Sequence, residues 1–131
     1  MAYEYIKQKG LWMGITKQMY YKTQITMNRD LIATLAECAA ACNYCAVSCL
    51  QEDDVKMMER CIRLDLDCAA ICKMALDYVS RDSTMAREVL DLCARVCREC
   101  GAECEKHSQM EHCRMCAEAC RRCEQACQQA S

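Results

Sequence analysis

The sequence predicts an all-α protein, an antiparallel up-down-up-down four-helix bundle with a cysteine-lined core and an N-terminal extension. Its 16 cysteines recur mostly at alternating steps of three and four residues, the spacing that places side chains on one face of a helix. The 131 residues include no proline and only three glycines, which favours long helices. The cysteines form four groups: Cys38, Cys42, Cys45 and Cys49; Cys61, Cys68 and Cys72; Cys93, Cys97, Cys100 and Cys104; and Cys113, Cys116, Cys120, Cys123 and Cys127.

Residues 1–27 differ from the rest, since they hold five of the seven aromatic residues and no cysteine. We expect an N-terminal extension there, with a short helix around Ile15–Tyr21 that packs on the bundle or at an oligomer contact. The cysteine-lined bundle is then expected over 28–131. The first residues lack the continuous apolar stretch of a signal peptide. We therefore expect a cytoplasmic protein, whose cysteines stay reduced.

The first two helices have recognisable start signals. Asn28 or Asp30 is expected to cap the first helix, which ends near residue 51. Asp53 and Asp54 are expected to cap the second, which ends near residue 80. The non-cysteine residues expected to face the core of the bundle are Leu31, Leu35, Met57, Met58, Leu64, Val79 and Val89.

The third and fourth helices follow after short connections. Asp82 or Ser83 is expected to cap the third helix, which ends near residue 105. Ser108 and Glu111 have the spacing of a capping box for the fourth, which ends near residue 128. Connections of only a few residues make neighbouring helices antiparallel. One end of the bundle should therefore hold Cys49, Met57, Met58, Cys61, Cys104, His107, Met110, His112 and Cys113, and the other Cys38 and Cys127.

The composition excludes several classes of function. The net charge is −2 with both signs scattered, so no basic patch for nucleic acid is expected. No run is seen that approaches the roughly 18 apolar residues of a membrane span. No Ser/His/Asp constellation, phosphate-binding loop or dinucleotide fingerprint is present, so we do not expect an enzyme.

The thiol stripes could serve packing, disulfides or redox chemistry. A core built so largely of cysteine would be poorly specified if the thiols served packing alone. Cysteines three or four apart on one helix cannot form disulfides without strain, and a cytosolic chain would not keep eight cross-helix bridges. Redox CxxC pairs usually lie at a helix N-terminus after a strand, whereas here they recur inside helices. Metal binding is the stronger interpretation.

The charge of the interior favours a monovalent metal. A thiol that exchanges its proton for Cu(I) leaves the interior neutral, whereas zinc held by four thiolates leaves two excess negative charges per site. Soft thiolates also prefer Cu(I), and iron–sulfur clusters usually take cysteines from loops. The stripes therefore predict multiple Cu(I) ions, up to about one per cysteine.

The cysteine pattern resembles the copper storage proteins, cysteine-lined four-helix bundles that bind many Cu(I) ions. The resemblance covers about Asp30 to Gln128 and, without an export signal, is to the cytosolic branch. It implies a homo-oligomer, a tetramer, and copper uptake at the end that carries histidine and methionine. The matching motifs are Cys38-x3-Cys42-x2-Cys45-x3-Cys49, Cys61-Ile-Arg-Leu-Asp-x2-Cys68-x3-Cys72, Cys93-x3-Cys97-x2-Cys100-x3-Cys104, His107 and the run Cys113 to Cys127.

A few other residues could assist the thiolates. His107 and His112 could pass copper inward, although a helix C-terminus favours a basic residue at His107 anyway and His112 could be a surface residue. Asp65 fits the gap between Cys61 and Cys68 as an oxygen ligand, but Leu64 fits the same gap. Packing is the simpler role for Met57, Met58 and Met110, which are candidate accessory ligands.

The expected function is cytosolic storage and sequestration of Cu(I), delivered by a copper chaperone or small thiols. Three alternatives stay open at this point. The chain could bind another thiophilic ion such as zinc or silver, carry electrons through an iron–sulfur cluster, or act as a thiol redox buffer.

Overall fold

The computed structural model describes residues 16–130, and for residues 20–27 the backbone alone. The described chain contains no strand, so the all-α class is confirmed. A 3-10 turn, Val55–Met58, precedes the second helix. The four helices of the described range are α1 Lys17–Leu50, α2 Glu59–Ser80, α3 Ala86–Glu105 and α4 Glu111–Gln129.

Contacts between cysteines show that the helices alternate in direction. Cys49 at the end of α1 lies with its Sγ 3.8 Å from that of Cys113 at the start of α4. Cys72, late in α2, lies 3.7 Å from Cys93, early in α3. Short connections reverse the chain between α1 and α2 and between α3 and α4. The expected antiparallel bundle is therefore confirmed.

The first helix begins earlier than expected. A start near Asn28 or Asp30 is wrong, because α1 begins at Lys17 and continues through both residues. The backbone N–H of Met19 donates to Thr16 Oγ1 at 3.1 Å, a bond typical of a helix start, and no proline or glycine follows until Leu50. The described chain divides into two compact units between Asp30 and Leu31.

The N-terminal extension is only partly within the described range. A separate short helix near 15–21 is wrong for residues 17–21, because these belong to α1. Residue 15 lies outside the described residues. The division into 1–27 and 28–131, and the packing or oligomer role of the extension, stay predictions.

The turn between α1 and α2 uses one of its two aspartates as a cap. Asp54 accepts a hydrogen bond from the backbone N–H of Met57 at 3.3 Å. It therefore caps the 3-10 turn, and α2 begins only afterwards, at Glu59. The expectation that Asp53 and Asp54 cap α2 directly is wrong because this extra turn lies between them and the helix.

The expectation that Asp82 or Ser83 caps α3 is wrong, because the residue before α3 is Met85, which makes no side-chain cap. Asp82 instead lies just beyond the end of α2. Its φ of 50° is left-handed, a conformation that aspartate tolerates better than most residues. The next N–H, of Ser83, donates back to the carbonyl of Tyr78 at 3.0 Å and closes the helix end. The Ser83 hydroxyl accepts from the N–H of Met85 at 3.1 Å, so Ser83 shapes the turn just before α3.

The predicted capping box of α4 is wrong. Such a box places its glutamate three residues after the capping serine, inside the first turn. Glu111 is instead the first residue of α4, and the residue before it, Met110, makes no side-chain cap. The N–H of Met110 donates to the carbonyl of His107 at 3.0 Å, so a backbone turn fills the place expected for Ser108.

One stretch of α1, Asn28–Leu50, is long and apolar enough by length and composition to cross a membrane, with mean hydropathy 1.4. This corrects the expectation that no run approaches that length. The score comes largely from cysteine and alanine, and the buried side chains of this stretch include Leu35, Cys42 and Cys45. The same composition is expected for a helix that supplies thiols to a protein core.

α3 and α4 approach closely at a buried glycine. A Cβ on Gly101 would lie 3.3 Å from the Cβ of Cys120. On the outer side, Arg98 pairs with Glu124 at 2.8 Å and ties the same two helices together. The close approach places the Sγ of Cys100 in α3 within 4.8 Å of that of Cys120 in α4.

Candidate metal centre

All 16 cysteines are buried free thiols, as the helical spacing predicts. Thiols on different helices lie at contact distance, for example Cys61 and Cys104 with their Sγ atoms 3.6 Å apart. Cys68 similarly lies 3.7 Å from Cys97 and 4.0 Å from Cys120. The core of the bundle is therefore a column of sulfur atoms.

The thiols can be grouped into sets whose ligand atoms lie within 4.8 Å of one another. One set takes one cysteine from each of the four helices and consists of Cys38, Cys72, Cys97 and Cys123. Neighbouring sets share members, because Cys38, Cys42 and Cys120 each belong to two. Because neighbouring sets have thiols in common, this core differs from a series of separate four-ligand sites. Two other sets are Cys38, Cys42, Cys68 and Cys120; and Cys42, Cys100, Cys116 and Cys120.

Burial opposes the charged form of the thiols, although hydrogen bonds from neighbouring thiols lower the pKa of some of them, such as Cys104 to about 5. Burial raises the pKa of the Cys49 thiol to about 12, with the charge of Cys113 acting in the same direction. A thiol there keeps its proton until a cation replaces it. A monovalent ion that replaces one proton leaves the charge of the core unchanged, whereas divalent ions in four-thiolate sites would leave excess negative charge in an apolar interior.

Asp65 lies inside the column and is 0% exposed. Of the two residues that fit the gap in the α2 stripe, Asp65 fills it, whereas Leu64 is only partly buried against the core. Four thiols donate to the oxygens of the Asp65 carboxyl group and offset the cost of burying it. They are Cys61 at 3.8 Å to Oδ2, and Cys100 at 3.2 Å, Cys116 at 3.3 Å and Cys104 at 3.5 Å to Oδ1. Burial, with the nearby Cys116 and Cys104, raises the Asp65 pKa to about 9.

His112 lies against the thiols at one end of the column. Its Nδ1 is 3.4 Å from the Sγ of Cys113, 3.6 Å from that of Cys45 and 3.8 Å from that of Cys49. Its side chain is 14% exposed, so the surface alternative for this residue is wrong. The other ring nitrogen, Nε2, lies 3.0 Å from Glu52 Oε1. His112 therefore joins the solvent-facing end of the bundle to its sulfur core.

His107 has a different environment. It is buried, but its Nε2 lies 3.2 Å from Glu103 Oε2, and its described contacts include no thiol. Glu103 also accepts from Arg60 at 3.2 Å and Lys106 at 3.3 Å. Burial opposes ionisation of Glu103, but hydrogen bonds from His107 and Lys106 prevail and lower its pKa. The structure thus brings one histidine to the thiols and places the other in an ion-pair cluster.

The methionines near the same end also separate. Met58 is fully buried, and Met110 is partly buried against the core. Met57 is 52% exposed, so the expectation that it faces the core is wrong. Met57 falls in the 3-10 turn before α2, where helical spacing does not apply.

Two glutamates that hold the histidines were not expected from the sequence. Glu103 precedes His107 by four residues on one helix face, a spacing that could have indicated the pair. No comparable signal indicates Glu52, because its partner His112 lies 60 residues away.

Comparisons with known proteins identify copper storage proteins and a cysteine-rich protein as similar to this chain. The family profile described as "Copper storage protein" matches residues 24–131. A Bacillus subtilis protein described as an uncharacterised cysteine-rich protein is 42% identical over 86 residues, which is 66% of this chain and 79% of that protein.

Solved structures are also similar. A cytosolic copper storage protein from Streptomyces lividans with five coppers is 44% identical, with a TM-score of 0.79 over 82% of this chain and 94% of that chain. The Streptomyces lividans copper storage protein loaded with 10 copper equivalents is 46% identical, with a TM-score of 0.77 over 79% of this chain and 83% of that chain. The match of the family profile across the cysteine-bearing helices shows that this chain belongs to the copper storage protein family.

Proposed function

We propose that this protein stores and sequesters many Cu(I) ions in the cytosol, protecting against copper toxicity and holding copper for enzymes that need it. The observation that carries the proposal is the continuous column of buried thiols, in which neighbouring four-sulfur sets share members. Shared sulfurs can bridge adjacent ions, so the column fills as one multinuclear store. Storage, and not catalysis, is what such a closed core supports.

The ligands are the sixteen cysteine thiolates. Each Cu(I) replaces a thiol proton, and each thiolate can bridge two ions, so the capacity approaches about one ion per cysteine. Asp65 adds an oxygen atom within reach of the Cys45, Cys61 and Cys104 set. Its carboxyl group accepts thiol hydrogen bonds in the metal-free protein, and it becomes available to ions when its own proton and those of the thiols leave.

Copper is taken up at the end that carries His112. There an imidazole nitrogen and three thiols form one set with ligand atoms within 4.8 Å: Cys45, Cys49, His112 and Cys113. A copper chaperone or small thiols deliver the ion to this set by ligand exchange. Met58 and Met110 lie close to the core as packing residues and accessory sulfur donors. The protein works as a homo-oligomer, with a tetramer as the expected state.

An anaerobic titration tests the proposal. The fully reduced protein is titrated with Cu(I), and sulfur-to-copper charge-transfer absorbance in the ultraviolet is followed. Linear growth to about one ion per thiol is expected. Saturation at a few ions, or tighter binding of zinc or iron in the purified protein, would overturn it and favour discrete structural or electron-transfer sites.

A paired variant locates the store. Replacing both Cys42 and Cys120 by alanine removes two sulfurs that each belong to two sets, so the capacity should fall by at least two ions. Met57→Ala, at an exposed sulfur-bearing residue, is the matched control and should leave the capacity unchanged.

A further inference from the structure

We infer that Glu52 is a positioning residue for copper uptake, which acts by holding His112 with the lone pair of Nδ1 directed at the thiols. This inference rests on the proposed function, because it concerns how the same store is filled. It assigns a role to a residue outside the cysteine stripes. It also distinguishes His112 from His107, whose partner Glu103 belongs to an ion-pair cluster with Arg60 and Lys106.

The tautomer follows from the contacts of the ring. A neutral imidazole has one N–H and one nitrogen lone pair. The carboxylate of Glu52, 3.0 Å from Nε2, can only accept, so the N–H lies on Nε2 and the lone pair on Nδ1. Nδ1 faces Cys45, Cys49 and Cys113 at 3.4–3.8 Å. The other tautomer would direct the N–H of Nδ1 at the thiols, and that nitrogen could not bind a cation there.

The backbone keeps Glu52 in place. Its N–H donates to the carbonyl of Cys49 at 3.2 Å, just beyond the end of α1. The residue that orients the imidazole is therefore tied to a cysteine of the same four-ligand set. Its side chain is 34% exposed, so Glu52 lies between solvent and the ring. Replacing a carboxylate that holds the second ring nitrogen of a metal-binding histidine commonly lowers metal affinity or activity by about 10–100-fold.

The experiment combines a spectroscopic and a kinetic measurement on the reduced full chain. Long-range proton–nitrogen NMR of the metal-free protein reports which nitrogen of His112 carries the proton. Anaerobic stopped-flow absorbance reports the rate of Cu(I) uptake from a small-thiol complex, and a final titration gives the capacity. The variants are Glu52→Ala and Glu52→Gln, alone and combined with His112→Ala. Asp53→Ala is the matched control, because it removes the same charge from an exposed neighbour.

Wild-type protein should show a proton fixed on Nε2. Glu52→Ala should mix the His112 tautomers and slow uptake on the order of tenfold, with the same final capacity. Glu52→Gln should be slowed less, since its amide oxygen can still accept from Nε2. Asp53→Ala should match wild type. In the His112→Ala background, Glu52→Ala should have no further effect.

Two results would overturn the inference while the proposed function stands. One is normal uptake by Glu52→Ala in a protein that fills to its full capacity. The other is equal slowing by Glu52→Ala with and without His112, which would make Glu52 a direct contact for copper. Failure of wild-type protein to take up many Cu(I) ions would instead contradict the proposed function itself.

Discussion

The two ends of the cysteine column differ in chemistry. The histidine end, defined by Cys49, Glu52, His112 and Cys113, joins sulfur to polar groups that reach solvent. The aliphatic end, defined by Leu31, Leu35, Val79 and Leu90, carries buried hydrocarbon side chains in the same cluster as the cysteines. α1 contributes residues to both ends, with Leu31 and Leu35 at the aliphatic end and Cys49 at the histidine end.

With copper as the proposed cargo, this difference predicts that the column fills from the histidine end. Hydrocarbon side chains offer a cation no ligand. An ion that leaves its carrier at the aliphatic end therefore finds no replacement ligand among these side chains. At the histidine end an exchange is possible at each step, first to an imidazole nitrogen and then to sulfur. The aliphatic end buries hydrocarbon and is therefore expected to add hydrophobic stability, whereas the histidine end is expected to admit copper.

The largest expected effect concerns Asp65, which makes the stability of the metal-free protein depend on pH. Its pKa is 3.8 when unfolded and about 9 when folded. Between these values only the folded state holds the proton, so stability is full below pH 3.8 and falls as pH rises towards 9. Asp65→Asn should remove this dependence, with a difference of up to about 1.4 kcal/mol per pH unit.

Urea unfolding of metal-free protein at several pH values from 4 to 7.5 measures this effect. Asp67→Asn, at an exposed aspartate of the same helix, is the control and should keep the wild-type slope. A parallel pH dependence in wild type and Asp65→Asn would show that Asp65 stays ionised in the folded protein.

The second prediction concerns a substitution that removes hydrocarbon from the aliphatic end. Leu35 is fully buried, so Leu35→Ala removes packed hydrocarbon and should lower the free energy of unfolding by about 3 kcal/mol. Leu66→Ala makes the same change at an exposed position of α2 and should cost less than about 0.5 kcal/mol. Chemical denaturation measures both. Similar losses in the two variants would mean that the aliphatic end does not stabilise the bundle as described.

The cysteine stripes show what local spacing can predict. Steps of three and four residues suffice to place all sixteen thiols inside, because a helix repeats every 3.6 residues. Helix starts are less predictable, since Asn28 and Asp30 have capping side chains but lie inside α1. A capping residue permits a helix to begin, but it does not prevent a helix from continuing through it.

The polar residues of the site depend on distant partners. Leu64 and Asp65 fit the α2 stripe equally well by spacing, and the buried one is the aspartate that thiols of α3 and α4 satisfy. His107 and His112 were likewise indistinguishable by their position at one end. Their partners, Glu103 and Glu52, decide which imidazole reaches the thiols. The contacts of Asp65 and His112 are tertiary and no local pattern records them, whereas the four-residue spacing of Glu103 and His107 is local.

The third prediction separates the two histidines. His112→Ala removes the nitrogen that faces the thiols, so Cu(I) uptake should slow on the order of tenfold, while the thiols still set the capacity. His107→Ala removes a partner of Glu103 and should leave the uptake rate within about twofold while lowering stability by about 1 kcal/mol. Stopped-flow uptake and urea unfolding measure the two effects. Equal slowing by both variants would place both histidines on the uptake path.

The smallest expected effect tests how far the histidine end extends. Met57 is exposed in the 3-10 turn, and its sulfur is not among the described core contacts. Met57→Ala should therefore change stability by less than about 0.5 kcal/mol and leave the uptake rate within the error of the wild-type measurement. The conservative variant Met57→Leu keeps the hydrocarbon and removes the sulfur, so it tests the thioether alone. If both variants slowed uptake alike, the exposed thioether would bind copper before His112 does, and the histidine end would include Met57.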